Sequence, residues 1–236
     1  MRVALASCFF RNGEIAFNLA QAERFAREAA ASGAALVVFG ETFLQGFDSL
    51  SWDWETDRAV ALSQDDPPLR ALARLSAETG TDICVGYVER DGESLYSSAA
   101  LYSGGRLLRN YRRVSPGWRE VSRTDGHYRE GDDTGASLWR GRLVKLALCG
   151  DMWTCPERFA GCEVLLWPVY VSFTEEEWAC EETLYALRAA SAAPDALLVN
   201  PLSRDSVSLG GACHFRAGRV HESLPRGREG LLIVEI

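Results

Sequence analysis

Lysine is almost missing from this chain: of 25 lysine and arginine residues, Lys145 is the single lysine. Arginine on the surface is therefore uninformative, whereas an arginine at a reacting position carries meaning, because the two cations differ in shape and proton exchange. Long apolar runs are missing too, which excludes a membrane-spanning helix. The opening run Met1–Ala6 lacks the length and cleavage site of an export signal, and the seven cysteines are odd in number. Both features lead to the expectation of reduced thiols in a cytoplasmic protein. Basic excess is absent: the net charge is −8 and the pI about 5, which excludes nucleic acid or an anionic membrane surface as the main partner. Repeats, low-complexity stretches and linkers are absent, which favours one domain over residues 1–236. The chain also has no G-x-S-x-G, G-x-G-x-x-G, Walker A, H-E-x-x-H or C-x-x-C motif. Cys155 and Cys162 are too irregularly placed for a metal knuckle, and His127, His214 and His221 lack ligand spacing, so neither metal nor cofactor is expected.

What is present is an alternation of apolar runs and helix-period segments. Val3–Phe10, Ala35–Phe39, Ile83–Val88, Leu95–Tyr102, Arg106–Arg113, Leu143–Leu148, Val164–Trp167 and Ala196–Val199 read as strands. Gly211–Arg216, Val220–Glu222 and Leu231–Ile236 add a β-rich end. Helices are predicted over 15–32, from just after Asp66 to Gly80, and from Thr174 to about residue 193, the last announced by a Thr174/Glu177 capping box. The pattern is mixed α/β, with too many strands for one simple crossover sheet.

Four apolar runs end in a reactive or polar residue: Glu41, Cys149, Tyr170 just past Pro168, and Asn200. Ligands of open α/β sheets bind beyond the carboxyl ends of strands, so these residues are candidates for one pocket, the bland alternative being that each begins a solvated loop. Cys149 is either core filler, as free cysteines commonly are, or a nucleophile. For the second reading, Gly150 allows close backbone approach and offers an N–H for an oxyanion. Trp153 is a candidate pocket wall.

The segments Ala-Leu-Val-Val-Phe-Gly-Glu41, Gly104-Gly105-Arg106 through Arg113, Glu120, Tyr128-Arg129-Glu130-Gly131 and Leu146-Ala147-Leu148-Cys149-Gly150-Asp151-Met152-Trp153 come in an order and spacing that resemble the nitrilase, or carbon–nitrogen hydrolase, superfamily over nearly the whole chain. The resemblance implies an α-β-β-α sandwich and, as an expectation, a homodimer acting on a small-molecule amide. It implies Cys149 as nucleophile forming a thioester, Glu41 as base, and Glu120 as a second glutamate that positions the cation and the substrate. Tyr170 and Asn200 fall where the family's pocket wall lies.

One position departs from the family. Its third catalytic residue is a lysine, and this chain has Arg113. Arg112 is adjacent but faces the other way on an extended segment. Lys145 lies four residues before Cys149, about 13 Å back along a strand, out of reach of the reacting carbon. Three functions follow: an active amide hydrolase with Arg113 as its cation, a catalytically silent relative that binds a small ligand or serves as a partner subunit, and a redox or acyl-carrying thiol protein. A guanidinium can stabilise an oxyanion, yet pairing with Glu41 would lower that residue's basicity.

Overall fold

Alternation in the first strand sets up the layers. In the computed structural model, which describes residues 1–204 and 208–236, β1 (Arg2–Ser7) sends Val3 and Leu5 into one core and Ala4 and Ala6 into another. It runs parallel to β3 (Leu36–Val38), and β3 parallel to β4 (Asp82–Asp91). Next come β5 (Ser94–Ser103) and β6 (Arg106–Arg112) as antiparallel neighbours, and β14 (Gly230–Glu235) closes the other edge against β1. This gives a six-stranded sheet in the order β14-β1-β3-β4-β5-β6.

A second six-stranded sheet has the order β13-β12-β10-β9-β8-β7. Its members are β7 (Ser137–Trp139), β8 (Arg142–Leu146), β9 (Val164–Pro168), β10 (Asp195–Val199), β12 (Ala212–Arg216) and β13 (Arg219–Leu224). The short β2 (Phe9–Phe10) and β11 (Leu202–Ser203) form a separate parallel pair. Helices α1 (Ile15–Ala31) and α3 (Pro67–Thr79) cover the first sheet, burying Phe25, Ala26, Leu69 and Leu72 against Val37, Phe39, Ile83 and Val85. On the second sheet, α5 (Glu175–Ala190) buries Trp178, Tyr185, Ala186 and Ala189. The facing sides of the sheets interdigitate through Leu36, Val38 and Leu101 on one and Val144, Leu146 and Leu166 on the other. The layers are therefore α-β-β-α, the architecture the resemblance implied.

The helix signals act through the groups they supply. Thr174 accepts from Glu177 N–H at 3.2 Å while the Glu177 carboxylate accepts from Thr174 N–H at 2.8 Å. Pro67 opens α3, and Gly80 ends it in the left-handed conformation. Two short helices lie outside the sequence expectation. The first, α2 (Trp54–Val60), is capped by Asp53, and α4 (Asp151–Thr154) is one turn directly after Cys149. Seven and four residues carry too little periodicity to be read. Among the described residues no helix is long and apolar enough to cross a membrane.

Candidate active site

Parallel pairing of β1, β3 and β4, followed by two antiparallel steps through β5, carries the carboxyl ends of β3 and β6 to one rim of the first sheet, and parallel pairing carries those of β8, β9 and β10 to the facing rim of the second. Glu41 stands three residues beyond β3, Arg113 immediately beyond β6, and Cys149 three residues beyond β8. The rims are joined directly by Glu41 N–H, which donates to the Val169 carbonyl at 3.3 Å, while Cys149 N–H continues the β8–β9 pairing by donating to the Pro168 carbonyl at 3.0 Å.

Both turns are strained. Cys149 sits at φ 39° and Thr42, just after Glu41, at φ 48°, a region that side chains with a Cβ rarely occupy. Each costs on the order of 1–3 kcal/mol and is held by its surroundings. The Glu41 turn also presses on β4. A Cβ on Gly86 would sit 2.3 Å from the Gly40 carbonyl and 2.7 Å from the Glu41 Cα, so only glycine fits there.

The Glu41 carboxylate is used unevenly. Its Oε1 accepts from Arg113 Nη1 at 3.0 Å and from Ser97 Oγ at 2.8 Å. Its Oε2 is buried and has no hydrogen-bond partner among the described residues. Arg113 is itself only 4% exposed. Its Nε donates to Ser115 Oγ at 2.8 Å, and a Cβ on Gly150 or Gly117 would lie 2.5 Å or 3.3 Å from its Nη2. The planar guanidinium thus fits because its neighbours are glycines. The close approach permitted by Gly150 is that of the Arg113 side chain, against the residue that follows the nucleophile candidate. Burial works against the Arg113 charge, but Glu41, Cys149 and Asp151 together hold its pKa above the usual guanidinium value.

Cys149 is half-buried, and its Sγ lies 3.8 Å from the Tyr170 carbonyl. Its thiol is pushed up to about 11, first by burial and then by the Glu41 charge, with Arg113 pulling the other way. It rests protonated near neutral pH, so a thiolate requires a base.

Two groups that tie the site together were not singled out from the sequence. Asp151, fully buried, accepts from Val114 N–H at 3.1 Å and Ser115 N–H at 2.8 Å on one oxygen. Its other oxygen accepts from Leu148 N–H at 2.8 Å and from the Tyr111 hydroxyl at 2.5 Å. It fastens the Arg113 turn to the Cys149 turn; its only sequence signal is its place two residues after the cysteine. Ser97 orients Glu41 from mid-strand in β5, and nothing in its local pattern marks it.

The other sequence candidates have different surroundings. Glu120 is not brought to Arg113 or Glu41. It lies exposed on the loop after a one-turn helix at Pro116–Trp118, and its Oε1 is taken by Ser122 Oγ at 2.7 Å. Asn200 is fully buried, and among the described residues its side chain bonds only main chain and Ser208, pinning Val171 from both its N–H and its carbonyl. It is a strap for the loop after β9. Trp153 turns toward α5, its ring edge-on to Tyr185 at 5.0 Å. Tyr170 stacks on Phe47 and donates its hydroxyl to Asp48 at 2.6 Å. Arg112 faces away, as its register requires, and Lys145 donates to the carbonyls of Arg158 and Ala160, each at 2.9 Å.

A four-layer sandwich with a cysteine on a strained turn facing a buried carboxylate–cation pair defines a class of proteins. The carbon–nitrogen hydrolase family model matches residues 2–236, and the chain belongs to that family. It is 27% identical over 175 residues to N-carbamoylputrescine amidase of Arabidopsis thaliana, a match covering 69% of this chain and 56% of that protein. It is 36% identical over 116 residues to a "Hydrolase in pqqF 5'region" of Pseudomonas protegens, covering 48% and 39%. The aligned regions thus span about half or less of these curated relatives. In fold it is similar to an amidase from Nesterenkonia sp. (TM-score 0.79, 22% identity, covering 100% of this chain and 90% of that one). It is also similar to a CN-hydrolase superfamily protein of Xanthomonas campestris, solved with an arsenic adduct in its active site (TM-score 0.82, 18% identity, covering 99% and 89%).

Proposed function

We propose that the protein hydrolyses a carbon–nitrogen bond of a small amide or carbamoyl compound, with Cys149 as nucleophile, Glu41 as base and Arg113 as the cation. The observation that carries this reading is the division of labour on Glu41: Oε1 is occupied by Arg113 and Ser97, while Oε2 is buried with no partner among the described residues. A carboxylate desolvated on one oxygen is a base awaiting a proton.

In this reading Oε2 takes the Cys149 thiol proton, and the sulfur attacks the carbonyl carbon to give a tetrahedral oxyanion. Arg113 Nη2, lying against Gly150, and the Gly150 N–H stabilise that charge. Glu41 then passes its proton to the leaving amine, the C–N bond breaks, and a thioester remains on Cys149. Water, deprotonated by Glu41, attacks the thioester, and the thiol is regenerated. The family membership and the N-carbamoylputrescine amidase relative support amide or carbamoyl substrates.

The Glu41–Arg113 ion pair supports a second reading, a silent relative whose base is held by its own cation. Alkylation separates the two. The Glu41 charge raises the Cys149 pKa, so Glu41→Gln acting through charge alone would increase the thiolate fraction and speed iodoacetamide labelling of Cys149. A base role predicts slower labelling in Glu41→Gln, with the other six cysteines as internal controls. Small amides should likewise release ammonia and leave an acyl mass on Cys149, and Cys149→Ala should remove both. Faster labelling together with no acyl mass would establish the silent reading.

A further inference from the structure

At the opposite end of the second sheet from Cys149, the hairpin of β12 and β13 gathers His214, His221 and Glu222. Along the chain the two histidines have no ligand spacing; the hairpin supplies it. His214 pairs with Glu222 and Phe215 with Val220, so His221 is the extra residue of a β-bulge. A bulge re-aims side chains that a regular strand would send to opposite faces. Here one donor atom from each of the three residues lies within 4.8 Å of the others. His214 Nδ1 is 3.6 Å from Glu222 Oε1, and His221 Nε2 is 3.9 Å from the same oxygen.

His214 carries the argument. It is fully buried, and its Nδ1 has no hydrogen-bond partner among the described residues. Its other nitrogen, Nε2, lies 2.8 Å from Asp195 Oδ1, an oxygen that also accepts from Arg216 Nε at 2.7 Å. A carboxylate on one imidazole nitrogen fixes the proton there and leaves the lone pair on the other, the arrangement that orients metal-binding histidines. Arg216 balances Asp195, which leaves the Glu222 charge for a dication.

The geometry points to a divalent transition-metal site, of the zinc class, formed by His214 Nδ1, His221 Nε2 and Glu222 and stapling the β12–β13 bulge. Two imidazoles and a carboxylate suit zinc rather than calcium or magnesium, with a fourth position left for water. Bonds of about 2.0–2.2 Å place tetrahedral ligand atoms roughly 3.3–3.6 Å apart, so modest closure is needed. His221 and Glu222, with side chains 48% and 41% exposed, can make that movement and provide the entry path. The site is independent of the hydrolytic corner.

The test is calorimetric titration of Zn2+ into the 236-residue protein after dialysis against chelator, with Co2+ as an optical probe. One equivalent should bind, Co2+ should show a ligand-field spectrum without thiolate charge-transfer bands, and hundredfold excess over Kd should raise the melting temperature by roughly 5–10 °C. His221→Ala and Glu222→Gln are exposed-edge variants that keep the buried His214–Asp195 pair. Each should weaken binding by at least the roughly 10–100-fold that losing an outer-shell partner costs, while hydrolysis or Cys149 labelling is unchanged. Absence of binding, binding that survives both variants, or a thiolate spectrum would each overturn the assignment.

Discussion

Arg112 and Arg113 are neighbours in sequence, face opposite sides of the first sheet, and each meets a buried glutamate. The two centres have different characters. On one side Glu89 is saturated. Arg112 donates to both of its oxygens, at 2.7 and 3.0 Å, and Ser98, Asn110 and Gln64 fill the remaining directions. Burial alone would raise the Glu89 pKa, but these donors hold it below the ordinary carboxylate value. On the other side Glu41 has, among the described residues, two donors on a single oxygen and none on the second. A carboxylate with every lone pair engaged is a structural clamp, whereas one with an unengaged oxygen can accept a proton. Ion-pair distance does not distinguish them; the number of unfilled acceptor sites does.

Substitutions at the two centres should therefore fail in different ways. The largest effect is expected at Glu41: Glu41→Gln should cost about 10²–10⁴-fold in kcat, the usual worth of a general base, measured on protein whose folded fraction has been checked by circular dichroism. Arg113→Ala should follow with about 10²–10³-fold, as for loss of one oxyanion donor. Gly150→Ala should move in the same direction, because its Cβ would meet Arg113 Nη2 at 2.5 Å. A fully active Arg113→Ala would remove the cation from the mechanism.

Across the sheet, Glu89→Gln should leave turnover per folded molecule intact. It should lower stability by about 3 kcal/mol, the low end for breaking a buried pair, because Arg112 retains Asp91 at 2.7 Å. A urea titration measures this, and a loss of kcat instead would collapse the distinction between the two centres.

The smallest effect is that of a single thiol one pH unit into the alkaline range. Burial pushes Cys84 and Cys213 up to about 12, against about 9 in an unfolded chain. Their contribution is fully present below pH 9 and declines as pH rises toward 12, by up to about 1.4 kcal/mol per pH unit per thiol. The urea midpoint should be flat with respect to these thiols below pH 9 and then fall, less steeply in Cys84→Ala.

How far the site could be read follows from how local each signal is. Cys149 and Glu41 were legible because each ends an apolar strand, and parallel pairing brings such ends together. The α5 cap was legible because Thr174 and Glu177 satisfy each other three residues apart. Asp151 and Ser97 were not, since their roles lie in hydrogen bonds to segments 36 and 56 residues away. Glu120 and Asn200 illustrate the converse. Their positions matched a pattern, but Ser122 takes the Glu120 carboxylate, and Asn200 is consumed by main-chain groups.

A mixed α/β fold was legible in the sequence, because period-two and period-3.6 patterns are properties of consecutive residues, while the α-β-β-α layering came from the family resemblance. The sequence also determined that a cysteine, a glutamate and an arginine would stand at strand ends. Which arginine meets which glutamate, which carboxylate oxygen lacks a partner among the described residues, and the one-residue bulge that brings His221 to His214 emerge only in three dimensions. Those depend on inter-strand register and on burial from several elements at once, and a shift of one residue reverses the face on which every side chain falls.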